Sequence, residues 1–134
     1  MKVLLDTKIL IWWQLNDPRL HATICDLLAC PENTVYVSQI SLVEIAIKQK
    51  IGKLPELDVA IGTLVRLIEQ DGFMVLPLQI HHIEAYNKIP LFPEHRDPFD
   101  RLLLATALSE NSPIISSDEN FGLYKNHVQV VDNC

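Results

Sequence analysis

The stretch DRLLLATALSENSPIISSD, Asp100 to Asp118, contains the two apolar patterns that decide the fold. Its first part, DRLLLATALSE, places Leu and Ala at helical spacings, and its second part contains PIIS, a short run rich in β-branched residues. A few polar residues separate the two. The stretch therefore predicts a helix that leads directly into a buried strand.

The same alternation continues in both directions along the chain. The predicted strands are KVLL at Lys2–Leu5, TVYV at Thr34–Val37, FMVL at Phe73–Leu76, PIIS at Pro113–Ser116 and VQVV at Val128–Val131. The intervening segments RLHATICDLLA, SLVEIAIKQKI, DVAIGTLVRLIEQ and IHHIEAYNKI carry apolar residues at helical spacings. Strands alternating with helices predict an α/β fold, a mainly parallel five-stranded sheet flanked by helices in one domain spanning residues 1–134.

The composition is that of an ordinary globular domain. Of the 134 residues, 49% are apolar and 21% are charged, which is far from the signature of disorder. The N-terminal MKVLLDTKILIWW is apolar, but Asp6 and Lys8 interrupt it and no small-residue cleavage site follows, so we interpret it as structure rather than a secretion signal. Cys25, Cys30 and Cys134 form neither an even set nor a C-x-x-C pair. This pattern fits a reducing cytoplasm better than a disulfide framework or a zinc site, and we expect no membrane association.

The formal net charge of −6 argues against a protein that wraps nucleic acid with a broad basic face. It is compatible with a nuclease, because acids gathered around a metal lower the net charge while a few bases at the rim guide phosphates. We expect Lys8, Arg96 and Arg101 to be such substrate-binding bases.

Two acids follow predicted strands directly. Asp6 comes after KVLL, and Asp118 comes after PIISS. Ligands of open parallel sheets bind outside the carboxyl ends of the strands, so both acids are placed for chemistry. The alternative for each is a helix N-cap, a position at which Asp is common.

A third acid, Glu44, lies in the apolar segment SLVEIAIK. Ser41 and Glu44 match a capping box, and Lys48 stands at the spacing of an i, i+4 ion pair, so a purely structural role is possible. The preceding strand ends near Val37, however, and the helix then starts near Ser38. Glu44 falls within its second turn, where a carboxylate among aliphatic residues requires a partner such as a metal.

The stretch PEHRDPFDRLLLATA, Pro93 to Ala107, contains the remaining acids. Asp97 fits an N-cap, and Pro98 fits the first helical position, where its missing N–H costs nothing. Asp100 is then the third helical residue. The helix dipole favours a negative charge there, and the side chain is free to face a cleft.

These acids suit a divalent cation. Four converging carboxylates, Asp6, Glu44, Asp100 and Asp118, would repel one another and raise each other's pKa without one. All-oxygen ligation suits Mg²⁺ or Mn²⁺, which can activate water for phosphodiester cleavage. The chemistry requires no Ser, Cys or His nucleophile.

Five segments resemble, in order, the motifs of VapC-type PIN-domain ribonucleases: KVLLDTKILIWW, VYVSQISLVEIAIKQKIGKL, GFMVLPL, HRDPFDRLLLATA and IISSDENF. The resemblance implies a Mg²⁺- or Mn²⁺-dependent RNA endonuclease, the toxin of a toxin–antitoxin pair, with sheet order 3-2-1-4-5. The family's acidic quartet, which serves catalysis and metal binding, falls on Asp6, Glu44, Asp100 and Asp118. The resemblance also implies a homodimer and an antitoxin whose basic side chain reaches the acidic cleft.

The chain differs at two positions from the subgroup of VapC-type ribonucleases whose motifs it resembles. Lys8 stands where the subgroup often has His, and Val43 where it often has Trp. Neither belongs to the quartet. Lys8 lies two residues after Asp6 and could pair with a carboxylate or meet a substrate phosphate, so it bears on rate or substrate preference.

Other residues carry weaker functional signals. His81 and His82 are adjacent and diverge on a helix, so we expect surface or partner-contact histidines rather than a joint metal site.

The first helical region contains more apolar residues than one helix face usually hides, and some should be buried by another chain. These residues are Ile11, Trp12, Trp13, Leu15 and Leu20.

Two competing functions remain at this point. A Mg²⁺-dependent phosphatase of the haloacid-dehalogenase kind also begins with an Asp after the first strand, but it needs a second Asp where this chain has Lys8. A non-catalytic or regulatory binding module on the same fold is the other alternative, because a fold does not establish activity.

Overall fold

The computed structural model describes residues 1–133; Cys134 lies outside the described residues. The strands are β1 (Lys2–Leu5), β2 (Thr34–Ser38), β3 (Met74–Leu76), β4 (Ile114–Ser116) and β5 (Val130–Asp132). The helices are α1 (Thr7–Leu15), α2 (Ala22–Ala29), α3 (Gln39–Lys50), α4 (Ile61–Gln70), α5 (Ile80–Ala85) and α6 (Pro98–Ser109), with 3₁₀ turns at Tyr86–Lys88 and Glu119–Tyr124.

The five strands form one parallel sheet in the order β3-β2-β1-β4-β5. This confirms the predicted α/β class and the order 3-2-1-4-5. The predicted strands also agree with the structure to within two residues at each end. β5 starts later than predicted because Val128 belongs to the preceding turn, where its N–H donates to the carbonyl of Tyr124.

The sheet is covered on both faces, which explains why its strands read as apolar runs rather than as alternating patterns. One core cluster gathers residues of α1, α2 and α4, and the other gathers residues of α6 and the turn before β5. β1 lies in the middle and contributes Val3 and Leu5 to the first cluster and Leu4 to the second. The sheet centre is thus rigid at the point where the first acid follows.

The first helical region hides more of its apolar surface than we predicted. Ile11 and Leu20 are buried in the chain's own core, and Trp12, Trp13 and Leu15 are partly buried against it. The loop after α1 folds back because Asn16 adopts a left-handed conformation at φ 53°, which places Leu20 inside. Ile11 and Leu20 therefore need no second chain to cover them, and the prediction that another chain buries part of this region remains only for Trp12, Trp13 and Leu15.

Two further predictions concern membranes and cysteines. Within residues 1–133, no helix has both the length and the apolar character needed to cross a membrane. Cys25 and Cys30 are free thiols of intermediate exposure.

Candidate active site

The two strand-end acids meet at the centre of the sheet. β1 and β4 are paired neighbours, and the backbone N–H of Asp6 donates to the carbonyl of Ile115 at 2.9 Å. The hydroxyl of Ser116 donates to Oδ2 of Asp6 at 2.9 Å, and its Oγ accepts from the backbone N–H of Asp118 at 3.0 Å. Ser116 therefore connects the two acids, which parallel pairing brings to the same edge.

Both acids stand at helix N-cap positions, the structural alternative predicted for each, and of the two only Asp118 caps with its side chain. Asp6 stands at the N-cap position of α1, but its carboxylate is held by Ser116 and is almost completely buried. Asp118 does act as a cap, because its Oδ1 accepts from the backbone N–H of Asn120 at 2.9 Å. That bond uses one oxygen and leaves the other available to the cleft.

Glu44 reaches the cleft from α3. The helix begins at Gln39 after Ser38, whose hydroxyl accepts from the N–H of Ile40, so Glu44 lies in the second turn as predicted. Ser41 does not form the capping box; its hydroxyl instead accepts from Thr7 at 2.9 Å.

The Glu44 side chain has one paired and one unpaired oxygen. Its Oε2 lies 3.1 Å from the ammonium of Lys48, which confirms the expected i, i+4 pair. Its Oε1 is buried and has no hydrogen-bond partner within residues 1–133.

The fourth acid comes from the first turn of α6. Asp97 is the N-cap, and its Oδ1 accepts from the N–H of Phe99 at 2.8 Å and of Asp100 at 3.4 Å. Pro98 occupies the first helical position. Asp100 follows as the third helical residue, in agreement with the predicted register, and is freed from capping.

These side chains surround one cavity of about 180 Å³. It is lined by Asp6, Thr7, Lys8, Glu44, Lys48, Asp97, Asp100 and Asp118. The structure therefore brings together all four predicted acids and Lys8, and adds Asp97 and Lys48, to which we had assigned only structural roles. Every lining residue is polar, and the acids outnumber the lysines.

Burial and mutual repulsion perturb two of these acids. Burial, and then the nearby charge of Asp100, raise the pKa of Asp6 from 3.8 to about 7. Burial also raises the pKa of Asp100 to about 7, with further contributions from the charges of Asp97, Glu44 and Asp118. Both carboxyls are therefore partly protonated at neutral pH in the metal-free protein.

The donor set fits a hard divalent cation. The unpaired and buried Glu44 Oε1 is costly without a partner, and a cation in the cavity would supply one. The same cation would lower the pKa of Asp6 and Asp100 by favouring their charged forms. Carboxylate oxygens are the ligands that Mg²⁺ and Mn²⁺ prefer.

The sequence analysis missed His95. Its side chain is 5% exposed, with Nε2 2.8 Å from Oδ2 of Asp100 and Nδ1 2.7 Å from the hydroxyl of Tyr124. Its ligand atom also lies within 4.8 Å of those of Asp100 and Asp118. His95 lies in an irregular loop, so no periodicity marked it; the local signals were its place as the first residue of the motif HRDPFDRLLLATA and its position five residues before Asp100.

Arg101, which we predicted to bind substrate, is buried beneath the loop before α6. It is 8% exposed, and its guanidinium donates to the backbone carbonyls of His95 and Phe92. Arg101 therefore fixes the loop before α6 and is not among the residues that line the cavity in the described chain. Arg96 is exposed, donates to the carbonyl of Pro93, and is likewise not one of the lining residues.

One of the two adjacent histidines, His81, is exposed as expected, and the other is not. His82 is fully buried rather than on the surface; its Nε2 lies 2.7 Å from Glu110, and its Nδ1 accepts from the backbone N–H of Gln79. Ligand atoms of His81, His82 and Glu110 lie within 4.8 Å of one another. Because Nδ1 of His82 accepts a hydrogen bond, Nε2 carries the proton of the neutral ring and is not free to ligate a metal. The trio is an interhelical contact between α5 and α6.

The chain matches the PIN domain family over residues 3–126, and it belongs to that family. A comparison with curated proteins gives no significant match.

Several solved structures are similar over nearly the whole chain. VapBC2 from Rickettsia felis, bound to a DNA fragment from its promoter, has a TM-score of 0.72 at 17% identity, with 98% of each chain covered. VapBC-1 from nontypeable Haemophilus influenzae has a TM-score of 0.67 at 23% identity, also with 98% of each chain covered. DNA-bound VapBC from Salmonella typhimurium has a TM-score of 0.67 at 16% identity, with 100% of this chain and 99% of that chain covered. At these identities the likeness is one of fold.

Proposed function

We propose that this PIN domain is a Mg²⁺- or Mn²⁺-dependent RNA endonuclease and the toxin of a toxin–antitoxin pair. The observation that carries the proposal is the shared cavity of Asp6, Glu44, Asp100 and Asp118, in which the buried Glu44 Oε1 has no hydrogen-bond partner within the described residues. The similarity in fold to VapBC complexes supports the toxin assignment.

Each acid has a distinct part in this proposal. Asp6, Glu44, Asp100 and Asp118 hold the cation, and Ser116 keeps Asp6 in place. When bound, the cation activates a water and stabilises the leaving oxygen of the phosphodiester. Asp97 organises the start of α6 and adds negative charge to the cavity.

Lys8 and Lys48 are the basic residues of the cavity. Lys8 is exposed, whereas Lys48 is tied to Glu44 at 3.1 Å in the metal-free protein. We assign Lys8 to a substrate phosphate. Lys48 neutralises Glu44 in the metal-free protein, and its ammonium would be free to approach the phosphate where a bound cation supplied that charge.

Purified protein incubated with RNA tests the activity directly. Cleavage should require Mg²⁺ or Mn²⁺, stop with EDTA, and disappear in Asp6→Asn. A matched control is Asp58→Asn, because Asp58 is an exposed acid outside the cavity. Undiminished cleavage by purified Asp6→Asn would overturn the proposal.

The two alternatives are less well supported. A phosphatase of the haloacid-dehalogenase kind still lacks its second Asp, since Lys8 occupies that position in the cavity. A non-catalytic binding module would not need a cluster of mutually repelling carboxylates, two of which, Asp6 and Glu44, are buried. Mapping of RNA ends after brief expression in cells would separate the nuclease from both alternatives and identify the cleaved RNA.

We also propose two partner chains, a second copy and an antitoxin. Val43, Ile47 and Ile51 form an exposed apolar stripe along α3, the helix that carries Glu44 and Lys48 into the cavity. An antitoxin segment lying on this stripe can extend a basic side chain to the acids, which suits inhibition by charge-assisted hydrogen bonds.

A second apolar surface lies where α5 meets α6, on the side of α6 that faces away from its acidic residues. Ile80 and Ile83 of α5 are exposed and share an apolar depression with Tyr86, Pro98 and Leu102. We assign this surface to the homodimer, because it joins two helices into one wide patch and leaves the α3 stripe for the antitoxin.

A further inference from the structure

A buried hydrogen-bond chain connects the acidic cavity to the C-terminal part of the domain. It runs from the hydroxyl of Tyr124 to Nδ1 of His95 at 2.7 Å, and from Nε2 of His95 to Oδ2 of Asp100 at 2.8 Å. Tyr124 is fully buried, and His95 is nearly so. Because water is excluded, each polar atom of the chain depends on its neighbour for a partner.

The chemistry of the three groups sets the direction of these bonds when Asp100 is ionised. A carboxylate only accepts, so Nε2 of His95 must carry the proton. In the neutral ring Nδ1 is then an acceptor, and the phenolic O–H of Tyr124 is the donor that faces it. Tyr124 thereby selects the tautomer that points an N–H at Asp100.

The imidazole is also fixed by its surroundings. Its ring packs against Phe121 with centroids 5.7 Å apart and against Tyr124 at 5.4 Å. The guanidinium of Arg101 holds the carbonyl of His95, and Phe92 and His95 form a β-bridge across the loop. A histidine in an irregular loop thus has the positional precision of a residue in a helix or strand.

We infer that His95 is a positioning residue of the metal site: its Nε2–H, oriented by Tyr124, holds Oδ2 of Asp100 so that Oδ1 is directed to the cation. The inference rests on the proposed metal-dependent function. Groups that orient metal-binding side chains in this way commonly influence metal affinity or activity ten- to hundredfold when removed. His95 does not exchange a proton with substrate in this role.

Metal-induced thermal stabilisation tests the inference without RNA. Titration of the full chain with MnCl₂ or MgCl₂ should raise the Tm of wild type, and His95→Leu should need ten to a hundred times more metal for half the effect. His95→Gln, whose amide N–H can stand near Nε2, should restore much of the affinity. Tyr124→Phe, which removes one oxygen, should give an intermediate loss and serves as the test should His95→Leu fail to fold.

The matched control is His82→Leu. His82 is also buried, lies 2.7 Å from an acid and accepts a backbone hydrogen bond at Nδ1, but it contacts Glu110 and does not line the cavity. His82→Leu should lower the Tm of the metal-free protein and leave the metal concentration for half-stabilisation unchanged. This control separates loss of a buried histidine from loss of the contact to Asp100.

Imidazole ¹⁵N chemical shifts provide a second readout. In the Mg²⁺-loaded protein, His95 should be the neutral Nε2–H tautomer, and Tyr124→Phe should introduce the Nδ1–H form. Wild-type metal affinity in His95→Leu, or an Nδ1–H tautomer in wild type, would overturn the inference. A loss of affinity in His95→Leu that is far greater for Mn²⁺ than for Mg²⁺ would also overturn the inference, since that outcome indicates direct ligation by nitrogen. A wild-type protein whose Tm does not respond to either metal would instead overturn the proposed metal site itself.

Discussion

The carboxylate of Asp97 accepts a hydrogen bond from the backbone N–H of Asp100, so the first of these two acids caps the helix on which the second projects into the cavity. The pair therefore divides stability from metal binding within a single helical turn. Asp97→Ala should lower the free energy of unfolding by about 0.5–2 kcal/mol, the usual effect of losing an N-cap. Asp100→Asn should abolish RNA cleavage while leaving the metal-free protein as stable as wild type or more so, because repulsion is relieved and the amide oxygen can still accept from Nε2 of His95. Melting curves and cleavage rates with the phenotypes exchanged would show that Asp97 is the ligand.

The raised pKa values of Asp6 and Asp100 predict the pH dependence of stability in the metal-free protein. Between pH 4 and about 7 the folded chain binds more protons at these two groups than the unfolded chain, so their contribution to the free energy of unfolding falls as pH rises through this range. Urea unfolding in EDTA at several pH values should show this decrease, with a shallower slope in Asp6→Asn. A steeper or unchanged slope in that variant would contradict the assignment.

The same shifts predict that protons compete with the metal. Stabilisation by a fixed subsaturating concentration of Mg²⁺ should increase from pH 6 to pH 8, as Asp6 and Asp100 lose their protons. Scanning calorimetry at each pH, with and without metal, measures this difference. Equal stabilisation by Mg²⁺ at pH 6 and pH 8 would argue that the metal does not contact these carboxyls.

Lys8 and Arg96 make a matched pair for substrate binding, because both are exposed bases but only Lys8 lines the cavity. Lys8→Ala should raise KM for RNA and reduce the salt dependence of binding by about one phosphate contact, a change of roughly 0.7 in the slope of log K against log salt. Arg96→Ala should have a smaller effect on both quantities. Equal effects would indicate that RNA also crosses the loop before α6.

The two proposed partner surfaces can be tested with one substitution each. Ile83→Lys on α5 should convert a dimer to a monomer in analytical ultracentrifugation, while Ile47→Lys on α3 should abolish binding of the antitoxin and leave the dimer intact. Both positions are exposed, so neither variant should lose its fold. Dissociation of the dimer by Ile47→Lys would mean that the surfaces are assigned to the wrong partners.

Most of the fold was predictable because its signals are local. Each strand is a short apolar run between helical segments, and Pro98 and Asp97 mark the start of α6 without any tertiary information. The four acids could also be found locally, since Asp6 and Asp118 follow strands, Glu44 stands out in an apolar helix and Asp100 is the third helical residue after the cap Asp97. Sheet order required the family resemblance, because the sequence does not say which strands pair.

The residues that were missed or misjudged are mostly those whose environment is set by partners far away in the sequence. His95 depends on Tyr124, which lies 29 residues later, and no pattern around His95 announces that partner. The burial of Arg101, by contrast, could have been predicted from spacing, because Arg101 lies three and four residues before the fully buried Leu104 and Ala105 and so shares the inner face of α6. His82 was misjudged because its acid partner lies on another helix.

The contact between Ser116 and Asp6 joins residues 110 positions apart, and this separation has a consequence for synthesis of the protein. β4 inserts beside β1 only after β2, β3 and the helices between them have been synthesised, and Asp118 arrives with it. A nascent chain or a fragment ending before β4 therefore cannot assemble the four acids. If the proposed function holds, cleavage cannot begin before β4 and Asp118 have been synthesised, and a co-expressed inhibitor has that interval in which to accumulate.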